Sequence, residues 1–291
     1  TARGRAPRRC RAARGDGNGP SLLLNGHVDT VGVEGMTVDP FAGETRDGRM
    51  YGRGACDMKS GLAIILAVAH RLRTEPIPGR LELLFTAEEE HASMGMGAAV
   101  GAVADGADAP ARHSSGPLSA DFAVVTEPTS LAVMPAHKGF SWVRADVAGR
   151  AAHGSRPDVG IDAIRSAGRL LGALDELERR LVARAPHPLL GFGSVHGGTI
   201  HGGVAPSVYP ERCAMRLERR TLPDEDPKGF ERELRELFDA VRAAHPEVEF
   251  ELDTELVRPG SDVASDDPGV VALLDALEGE GLARRVEGMT A

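Results

Sequence analysis

The sequence of 291 residues is poor in cysteine and has no long apolar run. Its three cysteines, Cys10, Cys56 and Cys213, lie far apart without a C-x-x-C pair, so neither a disulfide framework nor a structural zinc knuckle is indicated. No apolar run approaches the roughly 18 residues that a membrane-spanning helix needs. We therefore expect a protein of a reducing, cytoplasmic compartment that has no membrane partner.

Positive charge is also scarce. Lys and Arg number 34 against 43 Asp and Glu, which gives a formal net charge of −9. This balance argues against nucleic acid as a partner, because the phosphate backbone attracts basic surfaces. The chain is 42% apolar, and at roughly 100 to 200 residues per domain its length predicts about two domains, each with its own core.

The first half alternates short apolar runs with a helical pattern between Ser21 and Glu127. Three runs, at 22–25, 81–86 and 122–126, are apolar throughout, as strands covered on both faces are. An Ala-, Leu- and Ile-rich stretch at 58–73 predicts a helix between the first two strands. This order is typical of an α/β fold with a mostly parallel sheet.

The pattern changes at about His137. An alternating strand is followed by a helix predicted over 161–183, apolar pieces at 194–203 and 207–220, and an amphipathic helix over 230–244. Strands and helices in this order predict a smaller α+β unit with its helices on one side of an antiparallel sheet. After about Val257 we expect a loop and one more helix.

Acids and one histidine follow the three predicted strands. His27 and Asp29 come after the first strand, Glu88 to Glu90 after the second, and Glu127 after the third. Asp57 follows a glycine-rich loop and is expected to open the helix that starts at Met58. Because the carboxyl ends of parallel strands form the ligand crevice of open α/β sheets, we expect these side chains to converge.

This set of residue types favours a hydrolytic metal site. Histidine together with carboxylates suits zinc, cobalt or manganese better than magnesium or calcium. Of the adjacent Glu89 and Glu90, one can hold the ion while the other takes a proton from water. Asp29 can orient the imidazole of His27. Taken singly, each residue has a plainer explanation as a loop residue, a helix cap or a turn, and it is their convergence that favours a metal.

Six segments at these positions resemble the M20 family of metallopeptidases and deacylases. The resemblance implies a zinc-peptidase-like catalytic domain whose first part is 1–135, interrupted by a smaller lid at 136–256 through which two chains dimerise. The region 257–291 would begin the returning catalytic segment. In chain order the segments are LLLNGHVDTV, YGRGACDMKSG, FTAEEEHASMG, VVTEPTS, GRAAHGSRPDVGIDAI and ERRTLPDED.

The resemblance also implies a two-zinc site, in which Co²⁺ or Mn²⁺ could replace Zn²⁺. By this resemblance, His27 and Glu127 would bind one metal, Glu90 would bind the second, and Asp57 would bridge both.

Four further roles follow from the resemblance. Asp29 would orient His27, and Glu89 would be the general base. His153 would reach the active site of the partner subunit and stabilise the developing oxyanion, while Arg220 would hold a substrate carboxylate.

The sequence departs from the family pattern in three places. The family's second metal takes a final histidine from a motif near the C-terminus, and no such motif occurs here, so the second site would be short of a ligand; two bound zinc ions would mean that His201 or a residue of the partner replaces it. Only 21 residues precede the first predicted strand, where the family has a helix and strands, so together with the missing histidine motif the chain is expected to be truncated at both ends. At 202–206 an asparagine that helps many relatives to bind substrate is absent, which leaves the specificity open.

Together these observations predict a homodimeric, zinc-dependent amidohydrolase that acts on a small N-acyl amino acid or peptide-like substrate. Two alternatives stay open. One is an inactive fragment that keeps the dimerisation domain and a partial metal site. The other is a dipeptidase or tripeptidase of the same family.

Overall fold

The computed structural model describes residues 18–91, 93–100 and 120–290. The chain divides into two compact units, Thr1–Leu131 and Ala132–Ala291. Each unit has its own sheets and its own buried core.

The first unit is built on a parallel sheet, as predicted, and its three strands have the order β4-β1-β5. Helix α1 packs on this sheet, where Ile65 joins the core formed by Leu24, Leu81 and Leu83. A separate hairpin pairs β2 with β3. The elements are β1 (Ser21–His27), β2 (Glu44–Arg46), β3 (Arg49–Tyr51), α1 (Ser60–Leu72), β4 (Arg80–Thr86), α2 (Met94–Ala99) and β5 (Phe122–Val125).

Two glycines let α1 approach the strand ends closely. A Cβ atom added to Gly26 would lie 2.8 Å from Cδ2 of Leu62, and one added to Gly61 would lie 2.3 Å from the carbonyl oxygen of Thr126. Real Cβ atoms essentially never come within 3.0 Å of another heavy atom, because the two would overlap, so a larger residue at either position would push α1 away from the strands. The first turn of α1 therefore lies directly against the carboxyl ends of β1 and β5.

The second unit contains the remaining α-helices and strands of the described residues. They are β6 (Val133–His137), β7 (Gly139–Ala148), α3 (Ala163–Val182), β8 (Ser194–Gly202), β9 (Arg212–Thr221), α4 (Phe230–Ala244), β10 (Glu249–Arg258), β11 (Ser261–Asp262), α5 (Pro268–Gly279) and β12 (Val286–Met289).

Four strands of this unit form an antiparallel sheet in the order β10-β7-β9-β8. Alternate residues of β7 and β9 are buried, and they pack with α3 and α4 into one core. The two helices begin and end within two residues of the predicted ranges, because their apolar residues recur at the helical period. The predicted α+β arrangement with helices on one face is confirmed.

A second, smaller sheet has the order β11-β6-β12. Strand β6 pairs antiparallel with β11 and parallel with β12. The helix expected after Val257 is α5. Strand β12 was not predicted, because a strand of four residues is too short to show a clear alternation of apolar and polar residues.

Two expectations about what the chain lacks concern cysteines and membrane helices. Cys56 and Cys213 are free thiols, the first exposed and the second buried, and Cys10 lies outside the described residues. Among the described residues, no helix combines the length and the apolar character that crossing a bilayer requires.

Candidate metal centre

The carboxyl ends of the three parallel strands are joined at one edge of the sheet. The amide of Val28 donates to the carbonyl oxygen of Thr86 at 2.8 Å, and the amide of Thr126 donates to that of Asn25 at 3.1 Å. The chain therefore leaves β1, β4 and β5 at the same level. His27, the acids after β4 and Glu127 are placed together by this register, which is the convergence that the sequence predicts.

The two ring nitrogens of His27 have different surroundings. The side chain is only 2% exposed. Its Nδ1 lies 3.0 Å from the main-chain carbonyl oxygen of Asp29, while Nε2 lies 3.1 Å from Oδ1 of Asp57 and 3.7 Å from Oε1 of Glu127. Because a carbonyl oxygen only accepts hydrogen bonds, Nδ1 carries the hydrogen. The remaining nitrogen, Nε2, is thus directed at the carboxylates.

His27, Asp57 and Glu127 form a group that could hold a metal ion. Each offers one ligand atom, and these atoms lie within 4.8 Å of one another, an arrangement found nowhere else in the described residues. One imidazole nitrogen with two carboxylates is a donor set suited to a divalent transition metal. The residues present therefore fit such an ion.

Asp57 does not open a helix, contrary to the sequence-based expectation. Asp57 and Met58 have non-helical backbone angles within an irregular turn over Ala55–Lys59, and α1 begins only at Ser60. The physical reason is the contact with His27, since the Asp57 carboxylate reaches Nε2 instead of capping the helix.

The acids after β4 lie beside this group in different ways. Oε2 of Glu89 is 4.0 Å from Nε2 of His27, and the Glu89 side chain is 44% exposed. The carboxylate of Glu90 instead accepts from the amide of Val31 at 3.2 Å. Glu89 is therefore open to solvent and ligands, while Glu90 is engaged with the loop that follows β1.

Asp29 contacts His27 mainly through its main chain. Its carboxylate Oδ1 is 3.6 Å from Nδ1, farther than its carbonyl oxygen, and its Oδ2 accepts from the amide of Glu90 at 3.1 Å. Asp29 thus ties the loop after β1 to the loop after β4 and orients the imidazole at the same time.

The electrostatics of the cluster show an excess of negative charge. Burial lowers the pKa of His27, but Glu127 and Glu89 outweigh it and the pKa is raised above 6.5. Burial raises the pKa of Glu127 to about 7; His27 opposes this rise, and the carboxylates of Asp57, Glu89 and Glu90 add to it. The pKa of Glu89 is raised by burial in the same way. A bound cation would relieve this crowding.

His153 and Arg220 lie in the second unit. The amide of Ser155 donates to Nδ1 of His153 at 3.3 Å, so the exposed ring presents Nε2–H as a donor. The guanidinium of Arg220 lies 5.2 Å from the ring centroid of Phe140 and pairs through Nε with Glu218. His201, the suggested replacement ligand, is exposed on β8 and is not part of the metal group.

Sequence reasoning missed Arg219, the neighbour of Arg220. Its side chain is 2% exposed, and its Nη2 contacts both carboxylate oxygens of Glu225 at 2.9 and 3.0 Å. The sequence did contain a signal for its burial. Every second residue of a strand shares one face, and Arg219 continues the series of inward-pointing residues Cys213, Met215 and Leu217 in β9.

Relatives of this chain include acetylornithine deacetylases. The protein from Photorhabdus laumondii is 35% identical over 214 residues, which are 71% of this chain and 52% of the relative. The protein from Proteus mirabilis is 32% identical over 278 residues, or 92% of this chain and 67% of the relative. The chain thus spans about half to two thirds of the length of these relatives.

Solved structures share the fold at lower identity. A tripeptidase from Staphylococcus aureus has a TM-score of 0.69 at 22% identity, over 94% of this chain and 68% of the other. A dipeptidase from Saccharomyces cerevisiae gives 0.73 at 15%, over 96% and 70%. An M20 family metallo-carboxypeptidase from Sulfolobus solfataricus gives 0.71 at 17%, over 96% and 74%.

The family is shown by a match along nearly the whole chain. Residues 23–291 match the profile of peptidase family M20/M25/M40. This match includes the residues of the candidate metal centre. The chain belongs to the peptidase family M20/M25/M40.

Proposed function

We propose that this chain is a zinc-dependent amidohydrolase that removes the acyl group from an N-acyl amino acid. The observation that carries the proposal is the group of His27, Asp57 and Glu127, whose ligand atoms lie within 4.8 Å of one another. The acetylornithine deacetylases at 32% and 35% identity support N-acetylornithine as the first substrate to test.

The metal would be held by His27, Asp57 and Glu127, with Glu90 and Asp57 serving a second ion. When bound, a divalent metal acts as a Lewis acid towards an amide carbonyl and lowers the pKa of water. Zinc is the ion that the mixed nitrogen and oxygen donors favour, and Co²⁺ or Mn²⁺ are substitutes.

Glu89 is assigned the role of general base. Its Oε2 lies 4.0 Å from Nε2 of His27, and its carboxylate is partly exposed. A carboxylate with a raised pKa is a stronger base than an ordinary one, so Glu89 would take the proton of the attacking water and pass it to the leaving amine.

Two residues of the second unit complete the proposed machinery. Arg220 would hold the substrate carboxylate, since a guanidinium binds carboxylates through paired hydrogen bonds. His153, with its Nε2–H fixed by Ser155, would donate to the oxyanion in the active site of a partner chain. This proposal requires a homodimer, and the free thiols Cys56 and Cys213 support a cytoplasmic location.

Zinc binding and hydrolysis, measured on the same protein, test the proposal. After reconstitution and dialysis we expect at least one zinc ion per chain by atomic emission, together with release of acetate from N2-acetylornithine. The His27→Ala variant should lose both. A matched control is His70→Ala, since His70 is an exposed histidine on α1.

Three other results of these measurements would contradict the proposal. Turnover of a tripeptide with a free amine, without turnover of N2-acetylornithine, would make the chain a peptidase. Tight zinc binding without hydrolysis of either substrate would identify an inactive metal-binding chain. Hydrolysis that survives in His27→Ala would overturn the proposed site.

A further inference from the structure

Strand β9 presents two consecutive arginines to opposite faces of its sheet. The Arg219 side chain points into the unit and is 2% exposed, whereas that of Arg220 lies on the other face and is 31% exposed. A buried guanidinium is costly unless every part of it has a partner. The position of Arg219 therefore calls for an explanation beyond packing.

The partners of Arg219 hold the main chain at the end of β9. Its Nη1 donates to the carbonyl oxygen of Arg220, and its Nη2 donates to the carboxylate of Glu225. The same carboxylate accepts from the amide of Leu222 at 2.8 Å. Arg219 and Glu225 thus bind the backbone on both sides of Thr221.

Two more charged side chains complete this cluster. Arg184 pairs with Glu225 and lies 3.6 Å from Glu233, whose carboxylate is 3.5 Å from Nε of Arg219. The cluster therefore contains two guanidinium groups and two carboxylates. Its charges balance, although Nε of Arg219 is buried without a hydrogen-bond partner and has only the ion-pair contact with Glu233.

Gly193 leaves the space that Arg219 occupies. A Cβ atom added to Gly193 would lie 2.4 Å from Nη1 of Arg219 and 2.9 Å from the carbonyl oxygen of Arg220. The segment before β8 thus packs closely over the hydrogen bond between Nη1 of Arg219 and the carbonyl oxygen of Arg220.

On the opposite face of the sheet, contacts also hold the side chain of Arg220 in one orientation. Its guanidinium stacks on Phe140, and its Nε contacts Glu218. Glu218 is itself held by the indole N–H of Trp142, which donates to Oε2 at 3.1 Å. Arg220 is therefore fixed at its side chain by one set of contacts and at its main chain by Arg219.

We propose that Arg219 is a positioning residue, whose pairing with Glu225 fixes the backbone of Arg220 so that the Arg220 guanidinium meets the substrate carboxylate. This inference rests on the proposed function of Arg220 as the carboxylate-binding residue. Paired guanidinium–carboxylate hydrogen bonds depend strongly on geometry, so a shift of the strand end weakens them even though Arg220 itself is unchanged.

The test compares binding of N2-acetylornithine with binding of its carboxamide. Both dissociation constants are measured by calorimetry on the zinc-loaded chain in a Glu89→Gln background, in which bound substrate is not consumed. The ratio of the two constants reports recognition of the carboxylate alone, whereas a general loss of structure would weaken both ligands equally.

The variant of choice is Arg219→Met/Glu225→Met, because removing both partners leaves Arg184 and Glu233 to pair and avoids an uncompensated buried charge. A matched control is Arg216→Met/Glu255→Met. That pair joins the same strand to β10 by two contacts of 2.8 and 3.1 Å, but it touches neither Arg220 nor its backbone.

We expect the preference for the carboxylate to fall about tenfold or more in the Arg219 double variant, the usual effect of losing a charge-assisted hydrogen bond, and to stay unchanged in the control. An unchanged preference in the Arg219 double variant, with Arg220→Met losing it, would overturn the positioning role alone. If Arg220→Met also keeps the preference, the proposed role of Arg220 is wrong and the inference fails with it.

Discussion

The two units each contain a cluster of charged side chains at strand ends, and the clusters differ in their balance of charge. Around His27, the carboxylates of Asp57, Glu89 and Glu127 face one imidazole nitrogen. Around Arg219, two arginines meet two glutamates.

The difference between the clusters separates a binding site from a structural network. In the His27 cluster the pKa of Glu127 is raised to about 7 and that of Glu89 is also raised, because burial and neighbouring carboxylates disfavour their charged forms. Such a cluster is completed by an added cation. The Arg219 cluster already contains its own cations. We therefore expect that replacing its charged residues will mainly lower the stability of the fold and shift the end of β9.

The largest effect is expected from Glu89→Gln. The change removes the proposed proton acceptor and keeps the size of the side chain, so kcat should fall by about 10²- to 10⁴-fold. Zinc content should stay the same, because Glu89 lies outside the metal group. Steady-state kinetics and atomic emission on the same sample check both statements.

The control for this prediction is Glu88→Gln, which changes the neighbouring acid. A similar loss of kcat in both variants would mean that the negative charge of the loop, and not a proton transfer by Glu89, supports the reaction.

The second prediction concerns the balanced cluster. Arg219→Met alone removes the buried guanidinium and leaves the half-buried carboxylates of Glu225 and Glu233 to share Arg184, which should cost up to about 3 to 5 kcal/mol of unfolding free energy. Arg219→Met/Glu225→Met should recover most of that loss. Urea unfolding of both variants measures the difference, and equal stabilities would show that charge balance is not what this cluster provides.

The third prediction concerns the unbalanced cluster without metal. Glu127 keeps its proton up to a pKa of about 7 in the folded chain, against 4.5 ordinarily, so the folded state binds more protons between these values. Its contribution to stability is therefore fully present below pH 4.5 and is lost as the pH rises through 7. Glu127→Gln should accordingly stabilise the metal-free protein at pH 8 by about 2 to 3 kcal/mol, and change little at pH 4.5.

With zinc bound, we expect the wild type to be more stable than Glu127→Gln, the reverse of the metal-free comparison. The wild type gains stability in proportion to the logarithm of zinc concentration above its dissociation constant, whereas Glu127→Gln lacks one ligand. Thermal unfolding at pH 8, with chelator and with zinc, gives both comparisons. A variant that is less stable than the wild type in chelator would contradict the proposed crowding of carboxylates.

The smallest effect is expected from a carboxylate that belongs to neither cluster. Asp162 caps α3 by accepting from the amide of Arg165 at 2.9 Å. Asp162→Ala should cost about 1 kcal/mol, the usual value for a helix cap. Urea unfolding with and without zinc checks that this loss is the same in both conditions, as it should be for a residue that is not among the proposed metal ligands.

Much of the fold could be predicted from the sequence because its patterns are local. The apolar run before His27 predicted β1, and the helical spacing of apolar residues such as Ala167, Leu174 and Leu181 predicted the buried face of α3. The convergence of acids at one sheet edge followed from a general property of parallel sheets. The start of α1 was misplaced, because a contact with His27 decides the backbone at Asp57.

The sequence by itself determined which residue types stand at the strand ends, since apolar periodicity and strand order depend on neighbours along the chain. Only the tertiary structure decided that Nε2 of His27 faces the carboxylates, that Asp29 binds this ring through its carbonyl oxygen, and that Arg219 is neutralised within the core. The first depends on distances of 3.1 and 3.7 Å between segments that are remote in sequence, and the other two depend on how one side chain is oriented towards a nearby turn of the chain. Such distances are fixed by packing and hydrogen bonding in three dimensions, which no local pattern encodes.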